Sequence, residues 1–348
     1  MNMIPSFLPW QLKTAGVWLS RRERFAHAWL IHGLEGIGKR QFALAGAASL
    51  LCESPQQGLA CGKCCACQWI AGGNHPDLRR IRPEAMAVEE GAEAEESAPG
   101  TGAAKKAPSK EIRIDQLRAL TSWFNTATHR GGWRVAVLYP AQALNTISAN
   151  ALLKILEEPP EHTVFLIVAD APDRLLPTLV SRCRRLPLAV PDHAASVQWL
   201  NGQGLAQADE WLAAAGGAPL LALQQAQSGT AACPDWLGLF LAPLARAQAP
   251  DVGALADLLE KQAASVWIDI LQRLFLDLLL AASGAPIRYF PDLHGKIQAI
   301  AHSASMPNLA QTAHWLVQQR ATASHPLNAK LLTHSALQRV ALACLPAR

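Results

Sequence analysis

The sequence predicts an α/β module built on a parallel sheet, followed by an all-helical second half, and three features point to this. Ala28-Trp29-Leu30-Ile31 is a short apolar run that ends in a glycine-rich turn and leads into an alanine-rich helix from Gln41 to Leu51. Strand, turn and helix in that order open an α/β unit. Two further apolar runs, Val135–Leu138 and Val164–Val168, flank a stretch with helical spacing. That is a βαβ pattern, which places both strands in one parallel sheet. Beyond Pro191 the β-branched runs disappear, and an Ala/Leu-rich chain broken by Pro and Gly continues to Arg348.

Taken in order, the elements follow from local chemistry. After the first helix comes a cluster of cysteines, then Glu84–Lys110, made of Glu, Ala, Gly, Ser, Pro and Lys with Met86 and Val88 as its large apolar residues. With almost nothing to bury, it is expected to be a disordered acidic insertion on the surface. Structure resumes at Ile112-Arg113-Ile114, and Asp115 has the chemistry of a helix cap for a segment running to about Phe124. Leu144, Ile147, Ala151, Leu152 and Ile155 mark the apolar face of the next helix, which Pro159-Pro160 ends. The change of character near Pro187–Pro191, and a looser break near Gly229–Pro234, divide the chain into 1–188, 189–231 and 232–348.

Composition narrows the class. The chain has 348 residues, 50% hydrophobic and 17% charged, which suits a folded protein of two or three domains. The most apolar stretch, Leu274–Ala282, is short and interrupted by Asp277, so no membrane span is expected. Met1–Leu12 has neither a basic start nor a long apolar core, so no signal peptide is expected and the cytoplasm is the expected compartment. The net charge of +4 conceals seven glutamates against three lysines between Glu84 and Glu111, a local −4 that leaves +8 on the remainder. This permits contact with a polyanion without demanding it.

Four constellations carry chemistry. Gly33-Leu34-Glu35-Gly36-Ile37-Gly38-Lys39-Arg40 has the spacing of a phosphate-binding loop between strand and helix. Arg40 replaces the hydroxyl that would hold magnesium, and its guanidinium would repel the ion. A second departure lies at the end of Val135–Leu138, where Tyr139-Pro140 stands in place of the acids that bind metal and activate water. The loop is therefore vestigial, Gly33, Gly36, Gly38 and Lys39 are its remnant, and no productive ATP or Mg²⁺ binding is expected. Third, five of eight cysteines fall between Cys52 and Cys67. Cys52, Cys61, Cys64 and Cys67 suit a closed structural Zn²⁺ site, Cys65 is the odd one out, and His75 is an alternative fourth ligand in place of Cys52. The fourth is Ser181-Arg182-Cys183, whose arginine has no evident role from spacing alone.

Together these segments resemble the delta-prime family of DNA polymerase III subunits, in the bacterial clamp-loader group of AAA+ proteins. The residues that carry the likeness are Ala149-Asn150-Ala151-Leu152-Leu153-Lys154-Ile155-Leu156-Glu157-Glu158-Pro159-Pro160-Glu161, Ser181-Arg182-Cys183 and the cysteine cluster, with His75-Pro76-Asp77 and Asn328-Ala329-Lys330-Leu331-Leu332 in support. The likeness is dense from Trp29 to Arg185 and thin beyond. It implies an AAA+ module with a zinc-binding insertion at 1–188, a small helical lid at 189–231 and a helical oligomerisation collar at 232–348. It also implies a subunit that hydrolyses nothing itself, within a DNA-directed DNA polymerase holoenzyme, and that helps load a sliding clamp onto primed DNA. The implied partners are ATPase subunits of the tau/gamma type and a delta subunit in a pentameric ring, and Arg182 would act in trans on a neighbour's ATP. Two other readings stay open: an active ATPase motor, kept alive by Gly38 and Lys39, and a stand-alone zinc protein that binds nucleic acid, against which the cysteine segment offers only Lys63 as a base.

Overall fold

A computed structural model describes the chain except for residues 1–3, 21–24, 92–106, 125, 127, 130, 131, 230, 323–328, 347 and 348. The middle of the acidic insertion and Asn328 therefore lie outside the described residues. The chain divides into two compact units, Met1–Asp192 and His193–Arg348.

The first unit is built on five parallel strands in the order β2-β3-β4-β1-β5. They are β1 (Ala28–His32), β2 (Leu78–Ile81), β3 (Arg134–Leu138), β4 (Thr163–Ala169) and β5 (Arg184–Pro187). Both central strands β3 and β4 are buried along their whole length, as a parallel sheet covered on both faces requires. They pair in register with Val135 opposite Val164. The edge strands are short and polar, and on β5 the Arg184 guanidinium lies 5.1 Å over the Trp29 ring, a device that blunts an edge.

The helices of this unit are α1 (Leu12–Leu19), α2 (Lys39–Leu51), α3 (Cys65–Ala71), α4 (Glu84–Glu89), α5 (Ile114–Phe124), α6 (Thr146–Glu157) and α7 (Pro177–Ser181). Gly46 of α2 allows Trp18 of α1 to approach so closely that a Cβ there would lie 2.5 Å from the indole. Leu117, Leu120 and Trp123 of α5 and Leu152 and Leu156 of α6 share one core cluster with Phe165 and Ile167. Asn145 caps α6 by accepting the Ser148 N–H at 2.9 Å. Because all strands run the same way, the segments that follow β1, β2, β3 and β4 meet at one end of the sheet, where ligands of open α/β sheets bind.

Three expectations are corrected. Residues 84–89 are a helix rather than part of a disordered insertion. No residue of α4 is buried, and charge holds it instead: Glu84 pairs with Arg113 at 2.9 Å and accepts the Ser109 N–H at 3.1 Å. Asp115 does not cap α5 but sits inside its first turn, where a carboxylate also favours the helix dipole. Ile147, assigned to the apolar face of α6, is 65% exposed.

Among the described residues the second unit has helices and no strand beyond an isolated bridge between Ala304 and Pro346: α8 (His193–Gly202), α9 (Ala208–Ala214), α10 (Pro219–Gln227), α11 (Asp235–Leu244), α12 (Val252–Leu259), α13 (Ala264–Ala282), α14 (His294–Ser303), α15 (Met306–Thr322) and α16 (Ala329–Cys344). Its buried residues form two clusters, one around Leu200, Leu212 and Ala222 and one from Trp236 to Cys344. Arg273 and Arg288 bind the first set to the second by donating to the carbonyls of Ala214 and Gly216, each at 2.6 Å. Asp277, which breaks the apolar run, is fully buried and accepts the backbone N–H groups of Arg288, Tyr289 and Phe290 at 2.7–3.1 Å. Asp277→Ala would leave three backbone donors, the buried Phe290 N–H among them, without their acceptor. It is expected to destabilise this unit by on the order of 3 kcal/mol, read as a lower denaturant midpoint; an unchanged midpoint would show that water replaces the carboxylate.

Candidate functional site

The loop between β1 and α2 takes the shape its glycines allow. Gly36 and Gly38 have φ of 78° and 90°, left-handed values that a side chain resists. At Gly33 a Cβ would lie 2.5 Å from the Leu188 carbonyl oxygen. The loop is braced from outside, since Trp10 Nε1 donates to the Ile37 carbonyl at 3.1 Å and Gln11 Nε2 to the Gly38 carbonyl at 2.8 Å. Lys39 is buried. Its ammonium lies 2.6 Å from the Asp170 carboxylate and donates to the Leu34 carbonyl at 2.5 Å. Asp170 directly follows β4. Sequence reasoning passed over it, although an acid at the end of a buried strand beside a glycine loop is a readable signal.

Arg40 points to Glu90. Its Nη1 donates to Glu90 Oε1 at 2.9 Å, and the Tyr139 hydroxyl donates to Oε2, also at 2.9 Å. Arg82 Nε lies 2.9 Å from the same Oε2. Burial, and after it the negative charge of Glu90, pushes the Tyr139 phenol well above its ordinary range, so it stays a donor. The two residues that replace metal-binding groups are thus joined through one carboxylate. No sequence signal could have found Glu90, because Arg40 and Tyr139 lie about fifty residues to either side of it.

The cysteines sit where α2 ends and α3 begins. Cys52 follows α2, Cys64 precedes α3 and Cys67 lies in its first turn. The sulfurs of Cys52, Cys61, Cys64 and Cys67 all lie within 4.8 Å of one another, and Cys52–Cys64 and Cys61–Cys67 are each 3.9 Å apart. A tetrahedral ion with ~2.3 Å metal–sulfur bonds needs sulfur edges of about 3.8 Å, so the residues fit such an ion. The backbone N–H groups of Lys63 and Cys64 point at Cys61 and pull its thiol down to about 6, whereas burial pushes Cys52 and Cys67 up. Cys65 is exposed and apart. His75 is not in the group: its Nδ1 accepts the Asp77 N–H at 3.1 Å.

Arg182 ends the short helix α7. Its Nη1 donates to the Thr178 carbonyl at 3.0 Å, and its Nη2 meets Glu157, the last residue of α6, at 2.5 Å. Both side chains are substantially exposed, so the pair contributes about 1 kcal/mol or less and can be exchanged for another partner.

With this geometry in hand, likeness to known proteins is informative. A sequence profile of the family described as "DNA polymerase III, delta subunit" matches residues 18–192, half of the chain. The chain is 41% identical over 220 residues to DNA polymerase III subunit delta' of Pseudomonas aeruginosa, covering 62% of this chain and 60% of that protein. It is 34% identical over 241 residues to subunit delta' of Escherichia coli, covering 64% and 65%. The chain thus spans somewhat under two thirds of these relatives' lengths. Subunit tau of Escherichia coli is 32% identical over 169 residues, 49% of this chain and 22% of tau.

Chain purified without chelator is expected to carry one thiophilic divalent ion. Cys64→Ser should lose it and melt earlier, while Cys65→Ser should keep it. Equal metal content in all three proteins would contradict the four-cysteine assignment.

Proposed function

This chain belongs to the DNA polymerase III delta-prime family and is a component of the clamp-loader kind, and from that premise we propose that it is a loader subunit that hydrolyses no ATP. The observation that carries this is Lys39. In a working loop the lysine ammonium meets the terminal phosphates, yet here it is buried against Asp170 and the Leu34 carbonyl. Arg40 and Tyr139 add to this, since neither can hold magnesium and Tyr139 cannot take a proton from water near neutral pH.

Arg182 supplies the chain's contribution to catalysis. Its guanidinium is held by two surface contacts that a stronger anion can replace. Presented to the ATP of an adjoining tau/gamma-type subunit, it would offset the charge that builds on the transferring phosphoryl group. The residues 1–188 act as the AAA+ module, 189–231 as the lid and 232–348 as the collar, the last two corresponding to the two buried clusters of the second unit. The collar joins the subunits, delta among them, into a five-membered ring that acts on the sliding clamp and primed DNA. Such a subunit would work in the cytoplasm; among the described residues no helix is long and apolar enough to cross a membrane. The cysteine site takes zinc. Four thiolates leave no open position, so the ion cross-links α2 to α3 and supplies no reaction step.

Two outcomes are expected. The isolated chain should show no magnesium-dependent ATP turnover above background, and a rate near ~1 s⁻¹ would revive the motor reading. Loaders reconstituted with Arg182→Ala chain should hydrolyse ATP about two- to threefold more slowly in the presence of clamp and primed DNA, because one site loses its cation and the others keep theirs. The variant's melting and metal content should not change. Equal ATPase and clamp-loading rates would make Arg182 an ordinary surface residue.

A further inference from the structure

We propose that Arg40, Arg82 and Tyr139 form a magnesium-independent site for a phosphoryl anion, and that the chain's own Glu90 occupies it. Three donors from different parts of the sheet's carboxyl end converge on one carboxylate: Arg40 from the start of α2, Arg82 from just after β2 and Tyr139 from just after β3. Two guanidinium charges face a single carboxylate there.

The fit of Glu90 is incomplete. Arg82 Nε is buried and has no aligned acceptor among the described residues, although Glu90 Oε2 lies 2.9 Å away. The two Glu90 oxygens each take one aligned donor, Arg40 and Tyr139, and leave Arg82 Nε unaligned, whereas a tetrahedral phosphoryl group presents three oxygens and more charge. The hold on Glu90 is also light. It follows α4, which buries no residue and is kept in place by polar contacts such as Glu84 with Arg113. Lys39 takes no part, because Asp170 and the Leu34 carbonyl engage it. The segment from Glu84 to Glu90 thereby acquires a use: it brings a built-in anion to a site that includes both residues that replaced metal-binding groups.

The test is calorimetric titration of the full-length chain with inorganic pyrophosphate and, separately, with ATP, in magnesium-free buffer without chelator so that the cysteine site is undisturbed. Glu90→Ala should bind pyrophosphate at least about tenfold more tightly than the unaltered chain. Adding Arg40→Ala should remove the gain. Similar gains for pyrophosphate and ATP identify the phosphoryl group as what is recognised, and a gain confined to ATP overturns the proposal in favour of a nucleoside site. Should Glu90→Ala fail to fold, Glu90→Gln keeps the shape, removes the charge and carries the same expectation. Affinity unchanged in the folded Glu90 variant, or a gain that survives Arg40→Ala, overturns the proposal.

Discussion

A lysine ammonium buried at the end of a sheet has to be paired, because an isolated charge in that setting costs several kcal/mol. Lys39 meets this constraint through Asp170 and the Leu34 carbonyl. The pairing ties the β1–α2 loop to the end of β4 and engages the loop's own lysine. Trp10 and Gln11 reinforce that state by donating to carbonyls on the loop's far side. For nucleotide to bind in the ordinary way, Lys39 would have to leave a carboxylate 2.6 Å away. On the proposed reading the loop is a structural joint, and the chain's contribution to chemistry lies in what it offers to others.

The arginine proposed to act on a neighbour sits on a different part of the first unit. Arg182 is carried by α7, between β4 and the edge strand β5, and is held by one carboxylate and one carbonyl that leave it substantially exposed. An exposed guanidinium at the end of a helix, held by one carboxylate and one carbonyl, is compatible with the proposed exchange of partners. The cysteine cluster lies at a third place, the turn between α2 and α3, which a bound ion would fix without a large core of its own.

Much of this was legible in the sequence, and what was not has a common cause. β3 and β4 announce themselves because a strand buried on both faces reads as an unbroken apolar run. The cysteines are readable because close spacing brings their sulfurs together locally. Glu90 is not readable: its partners Arg40 and Tyr139 lie about fifty residues to either side, and a glutamate in an Ala/Glu-rich segment looks solvated. α4 was missed for the same reason, since charge pairs such as Glu84–Arg113 and not apolar burial keep it in place. Ile147 misled in the opposite sense, because helical spacing alone does not say which turn of α6 the core reaches.

The most direct test of the account is a high-resolution structure of the assembled loader with primed DNA, clamp and a non-hydrolysable ATP analogue. The account predicts that this chain's own loop holds no magnesium–nucleotide, with Lys39 still on Asp170. It also predicts that Arg182 has left Glu157 for the terminal phosphate on the adjoining subunit. Nucleotide and magnesium seated on Gly33–Lys39, with Arg182 still on Glu157, would contradict it.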